Sequence, residues 1–295
     1  MRVNPYPLPD LLAALEQSQQ QINTDLQQIA SGKSVSVPAD NPTAAAELIQ
    51  NAGQTSEADQ FLRSIGSVQG EMQNADSTLS SIITALQRAI SLGVEGANGT
   101  LNSSDRAALA TEVQGIQSQL LSLANLSYQG RYVFSGTASQ TAPYVLDATS
   151  PSGVTYTGNA EVNQVTLGNH FALQTNLPGS QLFSAAGHDT FQAIQDLITG
   201  LQSGTGIDTA VTAISGAYSY INAQRVFYGN AINQLNSQQT FLNSETTQLA
   251  QQQSTIGGAD LSAVISNLVN AQTTRQATLA AMGRTAQTNL FDYLK

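Results

Sequence analysis

Apolar residues recur with helical spacing over most of the chain, and the longest unbroken pattern lies between Ala58 and Ala89. Two seams there repeat every seven residues through five heptads, which is typical of a coiled-coil-like helix. The first seam is Ala58, Ile65, Met72, Leu79 and Leu86, and the second is Phe61, Val68, Ala75, Ile82 and Ala89. We therefore predict one helix over residues 43–95, about 75 to 80 Å long at 1.5 Å per residue.

A second heptad run lies in the C-terminal half. Its main seam is Ile214, Ile221, Tyr228, Leu235, Leu242, Leu249 and Ile256. The companion seam turns polar along the helix and includes Arg225, where an apolar residue is expected. This arginine either meets an acid across an interface or packs its stem while its charged group reaches water. We predict a second long helix that Asp208 caps and that Gly257 and Gly258 end.

Shorter amphipathic patterns occupy both ends of the chain. The first is Leu8, Leu11, Leu12, Leu15, Ile22, Leu26 and Ile29, and it closes at Gly32. The last is Leu261, Ile265, Leu268, Leu279, Met282, Ala286 and Leu290, and Asp260 caps it. Because the chain order is nested, we predict that the first and last helices pair with each other and that the two long helices form another bundle.

Two hinges separate the terminal helices from the long ones. Gly32, Pro38 and Pro42 prevent residues 31–42 from staying helical, so this segment is predicted to be an extended hinge. Gly257 and Gly258 supply the second hinge.

The middle of the chain predicts a third helix, N-capped by Ser103 or Ser104, that folds back on the first long helix. At Gly130 the period changes, and residues 137–187 read as a β-rich insert. Its strands are predicted at Val154–Thr157 and Val162–Leu167, and its turns at 151–153 and 178–180. Helix resumes near Asp189.

The predicted fold is mainly α: an elongated coiled-coil-like helical bundle with long antiparallel helices and a small β-rich insert at the tip. Three parts follow. Residues 1–41 with 256–295 form a terminal helical assembly domain, residues 42–136 with 188–255 form a rod of long helices, and residues 137–187 form the insert.

Composition narrows the function. Only 10% of residues are charged, and the net charge is −10, so the clustered cations that nucleic-acid binding needs are lacking. The chain has no cysteine, and no apolar stretch approaches the roughly 20 residues of a membrane span. Its start is too short and too broken by prolines for a secretory signal.

No pattern of catalytic or ligand-binding residues stands out. His170 and His188 do not have the spacing of a metal site, and both are read as surface histidines. Asp40 and Glu47 straddle a helix start, where acids favour the helix dipole, so they are not read as a catalytic pair. We therefore expect a non-enzymatic protein without cofactor or metal.

Several segments resemble the flagellin superfamily. Ser31–Lys33 followed by Pro38–Pro42 resembles its N-terminal hinge motif, and Leu86–Arg106 resembles its turn from the second to the third helix. Asn125–Thr137 and Asn289–Leu294 are similar to the branch of hook-filament junction proteins, the hook-associated proteins of type 3. Three prolines, at positions 5, 7 and 9, depart from the helix-compatible opening of that family.

The resemblance implies a structural subunit in a short ring between the hook and the filament, extracellular and exported uncleaved through the flagellar type III apparatus. It implies as partners copies of the chain itself, a hook-side junction protein, filament-side flagellin or cap proteins, and an export chaperone. Flagellin itself and a secreted adhesin acting through the insert stay open as alternatives.

Assembly is expected to bury the apolar residues of the terminal helices, which we expect to be mobile in the monomer. The predicted interface residues are Leu12, Leu15, Ile22, Leu26, Ile29, Leu261, Ile265, Leu268, Leu279, Met282 and Leu290.

Overall fold

The computed structural model of this chain describes residues 8–168 and 171–292, with side chains to residue 284. The described residues form seven helices and six short strands, which confirms the mainly α fold. The helices are α1 (Leu8–Ser31), α2 (Pro42–Gly96), α3 (Ser103–Ala124), α4 (Gly179–Leu182), α5 (Thr190–Ser203), α6 (Ile207–Gly257) and α7 (Leu261–Asp292). The strands are β1 (Ser127–Tyr128), β2 (Arg131–Tyr132), β3 (Tyr144–Leu146), β4 (Val154–Tyr156), β5 (Gln164–Thr166) and β6 (Ala172–Gln174).

The chain divides into two compact units. The terminal unit comprises Met1–Glu57 and Ser244–Lys295, and the central unit comprises Ala58–Asn243. The finer three-part division inferred from the sequence stays a prediction.

The central unit is built on the two predicted heptad runs. Within this unit their main seams are buried, because each side chain that repeats every seven residues returns to the same face of its helix. The buried seam residues include Ile65, Met72, Leu79 and Leu86 of α2 and Ile214, Ile221, Tyr228 and Leu235 of α6. This burial confirms both long helices.

Polar pairs between α2 and α6 show that these helices run antiparallel. Gln87 lies 3.1 Å from the Tyr218 hydroxyl, and Gln69 donates to Asn236 at 2.7 Å. From the first pair to the second, the residue number falls in α2 and rises in α6, as it does in antiparallel helices. The predicted third helix also folds back on α2, since Arg88 pairs with Glu112 at 2.6 Å.

Arg225 of α6 meets an acid of α2. Its Nε and Nη2 atoms donate to the two carboxylate oxygens of Asp76 at 2.8 and 2.9 Å. This forked geometry is the strongest that arginine makes, and the hydrogen bonds to Asp76 raise the pKa of Arg225. The pair therefore fixes one register of α2 against α6 and resolves the alternatives for this seam position.

We expect a double-mutant cycle of Arg225→Ala and Asp76→Ala to give a coupling free energy of about 0.5–1 kcal/mol in urea unfolding. The value is modest because the two side chains are 29% and 33% exposed. The more exposed Arg88–Glu112 pair is the control and should couple more weakly. Equal coupling in the two cycles would contradict a special role for Arg225.

Two predicted helix caps are wrong. Asn102, in extended conformation, caps α3 by accepting the Asp105 amide at 2.9 Å, whereas Ser103 is already helical. At the start of α6 the Ala210 amide donates to the Gly206 carbonyl, so Asp208 lies inside the first turn of the helix and not at its cap. The cap at Asp260 is confirmed, because its carboxylate accepts two amides at the start of α7. Helix also resumes near Asp189 as predicted, and the Asp189 carboxylate caps α5 by accepting the Gln192 amide at 2.9 Å.

The described residues between α3 and α4 form three antiparallel strand pairs, β1–β2 ahead of the β-rich insert and β3–β4 and β5–β6 within it. Strands β4 and β5 lie within the two predicted runs, and the Gly153 amide closes the predicted turn on Ser150 at 3.0 Å. The turn predicted at 178–180 is wrong, since the amides of Gln181 and Leu182 donate to Pro178 and start the one-turn helix α4.

Residues 125–137 anchor this segment to the helices. The Asn125 side chain holds the backbone of Tyr144 by two hydrogen bonds, at 2.7 and 2.9 Å. Phe134 is fully buried and makes an edge contact with Phe183 at 5.3 Å. Burial of Tyr144 beside Phe191 raises the pKa of its hydroxyl. Residues 125–137, the segment with the most specific family resemblance, therefore hold the β-rich segment against the helices.

Candidate assembly surface

Helices α1 and α7 pack against each other in the terminal unit, which confirms the predicted pairing of the first and last helices. A short backbone bridge joins the end of α1 to the start of α7. The Ser34 amide donates to Gly257 at 2.8 Å, and the Ala259 amide donates to Gly32 at 3.0 Å. Since the end of one helix meets the start of the other, the pair is antiparallel.

One stripe of each helix faces the other helix. Ile22 is 5% exposed, and the positions before and after it at helical spacing are buried as well. The buried residues are Ser18, Ile22 and Asp25 on α1 and Val264, Ala271 and Thr278 on α7. Of the predicted interface residues, the half-buried ones beside this stripe are Leu15, Ile29, Leu268 and Met282. The side chain of Leu290 lies outside the described residues.

A second stripe on each helix is apolar but exposed. Leu12 is 52% exposed and Ile265 is 51% exposed, and both are among the residues predicted to be buried between neighbouring copies. We call the whole set the exposed apolar stripe: Leu8, Leu12, Leu26, Leu261, Ile265, Val269 and Leu279. Val269 is not among the predicted interface residues.

Both halves of the exposed apolar stripe lie on one side of the helix pair. At about 100° per residue, the exposed positions of each helix are offset from its buried stripe by roughly 70–120° in the same sense, except Val269, which lies about 160° from it. Viewed from one end, antiparallel helices turn in opposite senses, so these equal offsets point to the same side. The pair therefore has one apolar face.

The opposite side of the pair is polar. A groove of about 490 Å³ runs between the helices there, and no charged residue lines it. Its lining residues are Ala14, Gln17, Ser18, Gln21, Asn267, Asn270, Ala271 and Thr274. The terminal unit thus presents an apolar face and an amide-rich face on opposite sides.

The predicted hinge glycines have defined conformations. Gly32 has a φ of +67°, a conformation that glycine adopts without strain, and it ends α1 by donating to Gln28. Gly257 is the last residue of α6, and an added Cβ there would lie 3.2 Å from Leu48. At Gly258 an added Cβ would collide with the Ser254 carbonyl oxygen. These contacts leave little space for a side chain at either position.

The segment between α1 and α2 is predicted to be extended, but the structure shows a turn within it. Pro38 lies in a turn that ends at Asp40, and Pro42 is the first residue of α2. Asn41 caps α2 by accepting the Ala44 amide at 3.1 Å. The turn forms because the Asp40 carboxylate accepts the backbone amides of the two residues before Pro38.

This turn should weaken in acid. The amides of Val37 and Ser36 stabilise the ionised carboxylate and lower the pKa of Asp40 below its usual value of 3.8. Its contribution to stability is therefore fully present above pH 3.8 and is lost as the pH falls through the lowered pKa. An NMR titration of Asp40 checks this. A pKa at or above the usual value, or an Asp40→Asn variant with the same pH dependence, would contradict the assignment.

The described residues contain no group of side chains arranged to hold a metal ion. Among the described helices, none has the length and apolar character that crossing a membrane requires. His188 is half-buried, and its ring stacks on that of Tyr220 with the ring centroids 4.7 Å apart. His170 lies outside the described residues.

Two family models match this chain. The bacterial flagellin N-terminal helical region matches residues 9–139, and the bacterial flagellin C-terminal helical region matches residues 208–294. The chain belongs to the flagellin superfamily. The matched regions cover α1, α2, α3, α6 and α7 almost completely, and all of the β-rich insert after residue 139 lies between them.

Relatives within this superfamily are also found. The chain is 26% identical over 91% of its length to flagellar hook-associated protein 3 of Escherichia coli K12, of which the match covers 92%. It is 36% identical over 40% of its length to the protein of that name from Salmonella typhimurium LT2, of which the match covers 38%.

The fold has a solved counterpart. The structure of a putative flagellar hook-associated protein from Vibrio parahaemolyticus matches 74% of this chain and 99% of its own chain, with a TM-score of 0.68 and 20% identity. This likeness confirms the fold of a flagellin-superfamily protein.

Proposed function

We propose that this protein is a non-enzymatic structural subunit of the bacterial flagellum that joins the hook side to the filament. The observation that carries the proposal is the apolar face of the α1–α7 pair. It exposes six large apolar residues on one side of these two helices, with Val269 beyond its edge, and a monomer would gain from covering them. The nearly full-length match to a hook-associated protein supports the choice of the junction.

In this proposal the terminal unit is the assembly domain, and neighbouring copies cover its exposed apolar stripe. The partners are further copies, a hook-side junction protein, and flagellin or a cap protein on the filament side, with an export chaperone before assembly. The protein reaches the cell exterior through the flagellar export apparatus without cleavage.

The terminal helices are proposed to become firmly ordered only on assembly. Their mutual contact is thin, because polar or small residues occupy much of the buried stripe: Ser18, Asp25, Ala271 and Thr278. A helix pair with so little apolar burial is marginal in water. Covering Leu12, Leu26 and Ile265 in the assembly would supply the missing burial.

The proposed function is tested by deleting the gene. The expected result is a cell that retains its hook and releases unassembled flagellin into the medium, and a plasmid copy restores the filament. Absence of flagellin itself from the cell would indicate the filament role instead. Normal filaments after deletion would contradict the proposal. A variant without residues 137–187 that still restores motility would exclude an adhesin acting through the insert as the main role.

A further inference from the structure

We infer that Asp25 is a built-in destabilising residue that keeps the α1–α7 pair easy to open. This inference concerns the helix pair alone, so it stands or falls independently of the role at the hook–filament junction.

Asp25 is buried at the contact between α1 and α7, where its side chain is only 1% exposed. Its Oδ1 accepts a hydrogen bond from Gln21 Nε2 at 2.9 Å, one turn earlier on the same helix. Its Oδ2 is buried and has no hydrogen-bond partner. Half of this carboxylate is therefore removed from water without compensation.

The neighbouring polar group in the same stripe behaves differently. Ser18 is buried as well, but its hydroxyl donates to the Leu15 carbonyl at 2.8 Å. The hydrogen bond of Ser18 is thus satisfied within α1, whereas one oxygen of Asp25 is not. Ser18 and Ala271 both line the groove, so they lie at about the same level along the helix pair. Because the helices are antiparallel, Asp25, which is seven residues after Ser18, lies near the level of the apolar Val264, which is seven residues before Ala271.

The energetic direction follows from this geometry. A buried polar atom without a partner costs free energy, and a buried charge costs more, whereas an apolar side chain of similar size contributes to burial. Asp25 therefore lowers the free energy that holds α1 against α7. Because Ile22 and Val264 provide the adjacent apolar contact, the pair still closes, but with a small margin.

The test is amide hydrogen exchange on the full-length monomer, followed in α1 and α7. Two variants are compared, Asp25→Leu, which adds apolar burial, and Asp25→Asn, which removes the charge with almost no change in volume. The control is Glu16→Gln, which removes the same charge from an exposed position of α1. The central unit, measured in the same experiment, should be unchanged in all three variants.

The expected result is a gain in protection of roughly tenfold across α1 and α7 in at least one Asp25 variant, with no gain in the control. Two variants are needed because leucine could overpack the site, while asparagine cannot. No gain in either Asp25 variant would overturn the inference. An equal gain in Glu16→Gln would overturn it too, because the effect would then come from net charge rather than from burial.

Discussion

A chain with Leu12→Gln and Ile265→Gln should fold as the native monomer does and yet fail to hold the filament. Both side chains are about half exposed in the helix pair, so the monomer loses little. Glutamine has a helix propensity close to that of leucine, so α1 should keep its helix. Full burial of Leu or Ile is worth about 1.5–3 kcal/mol, and about half of each side chain remains for assembly to cover, so each assembled copy should lose about 1.5–3 kcal/mol in total.

The matched control is Ala13→Gln with Ala277→Gln. These two alanines are exposed on the same helices but away from the exposed apolar stripe. The measurements are circular dichroism of the monomer, and flagellin released into the medium by cells that carry each variant. We expect release with the stripe variant and normal filaments with the control. Normal filaments with both would show that the stripe is not the assembly surface.

Gly136→Ala should strongly destabilise the central unit. Gly136 has a φ of +71°, which costs an alanine about 1–2 kcal/mol. A Cβ there would also collide with the backbone carbonyl oxygen and the side chain of Asn159. Moving the backbone aside would break the hydrogen bonds that the Gly136 carbonyl accepts from Asn163 and Asn176. The total expected loss is about 3 kcal/mol or more.

Gly130→Ala separates the two causes. Gly130 has a φ of +78°, but nothing lies within 4 Å of an added Cβ, so this variant carries only the conformational cost of about 1–2 kcal/mol. Urea unfolding of the central unit, followed by tyrosine fluorescence, compares both variants with the native chain. Equal losses would show that the contact with Asn159 contributes nothing.

The long helices could be predicted because their apolar residues recur at regular spacing. A seam such as Ile65, Met72 and Leu79 repeats over many turns, so single exceptions do not obscure it. Short elements were harder to predict. The hairpin of β1 and β2 turns at Gln129 and Gly130, both with positive φ, and was missed since its strands have only two residues each.

The candidate site could be predicted only in part. The sequence identifies which residues of α1 and α7 are apolar, but not which of them the helix pair itself covers. Ile22 faces α7, whereas Leu12 and Leu26 are largely exposed. That distinction depends on the angle at which two helices meet, and polar residues in the contact alter it. Asp25 was missed because a buried acid breaks the apolar pattern from which interfaces are predicted.

The turn between α1 and α2 shows the same limit. Proline and glycine predict that the helix stops, but they do not give the path of the chain afterwards. That path is set by Asp40, which accepts two amides, and by the backbone bridge from Lys33 to Gly258. The bridge joins residues more than two hundred positions apart, a contact that local sequence cannot indicate.

The most direct test of the account is maleimide labelling of an Ile265→Cys variant. The native chain has no cysteine, so the single thiol reports on one position. We predict rapid labelling in the purified monomer and strong protection in isolated flagella, with labelling recovered when the same flagella are dissolved in urea. Equal labelling of monomer and intact flagella would contradict the claim that assembly covers the apolar face of α1 and α7.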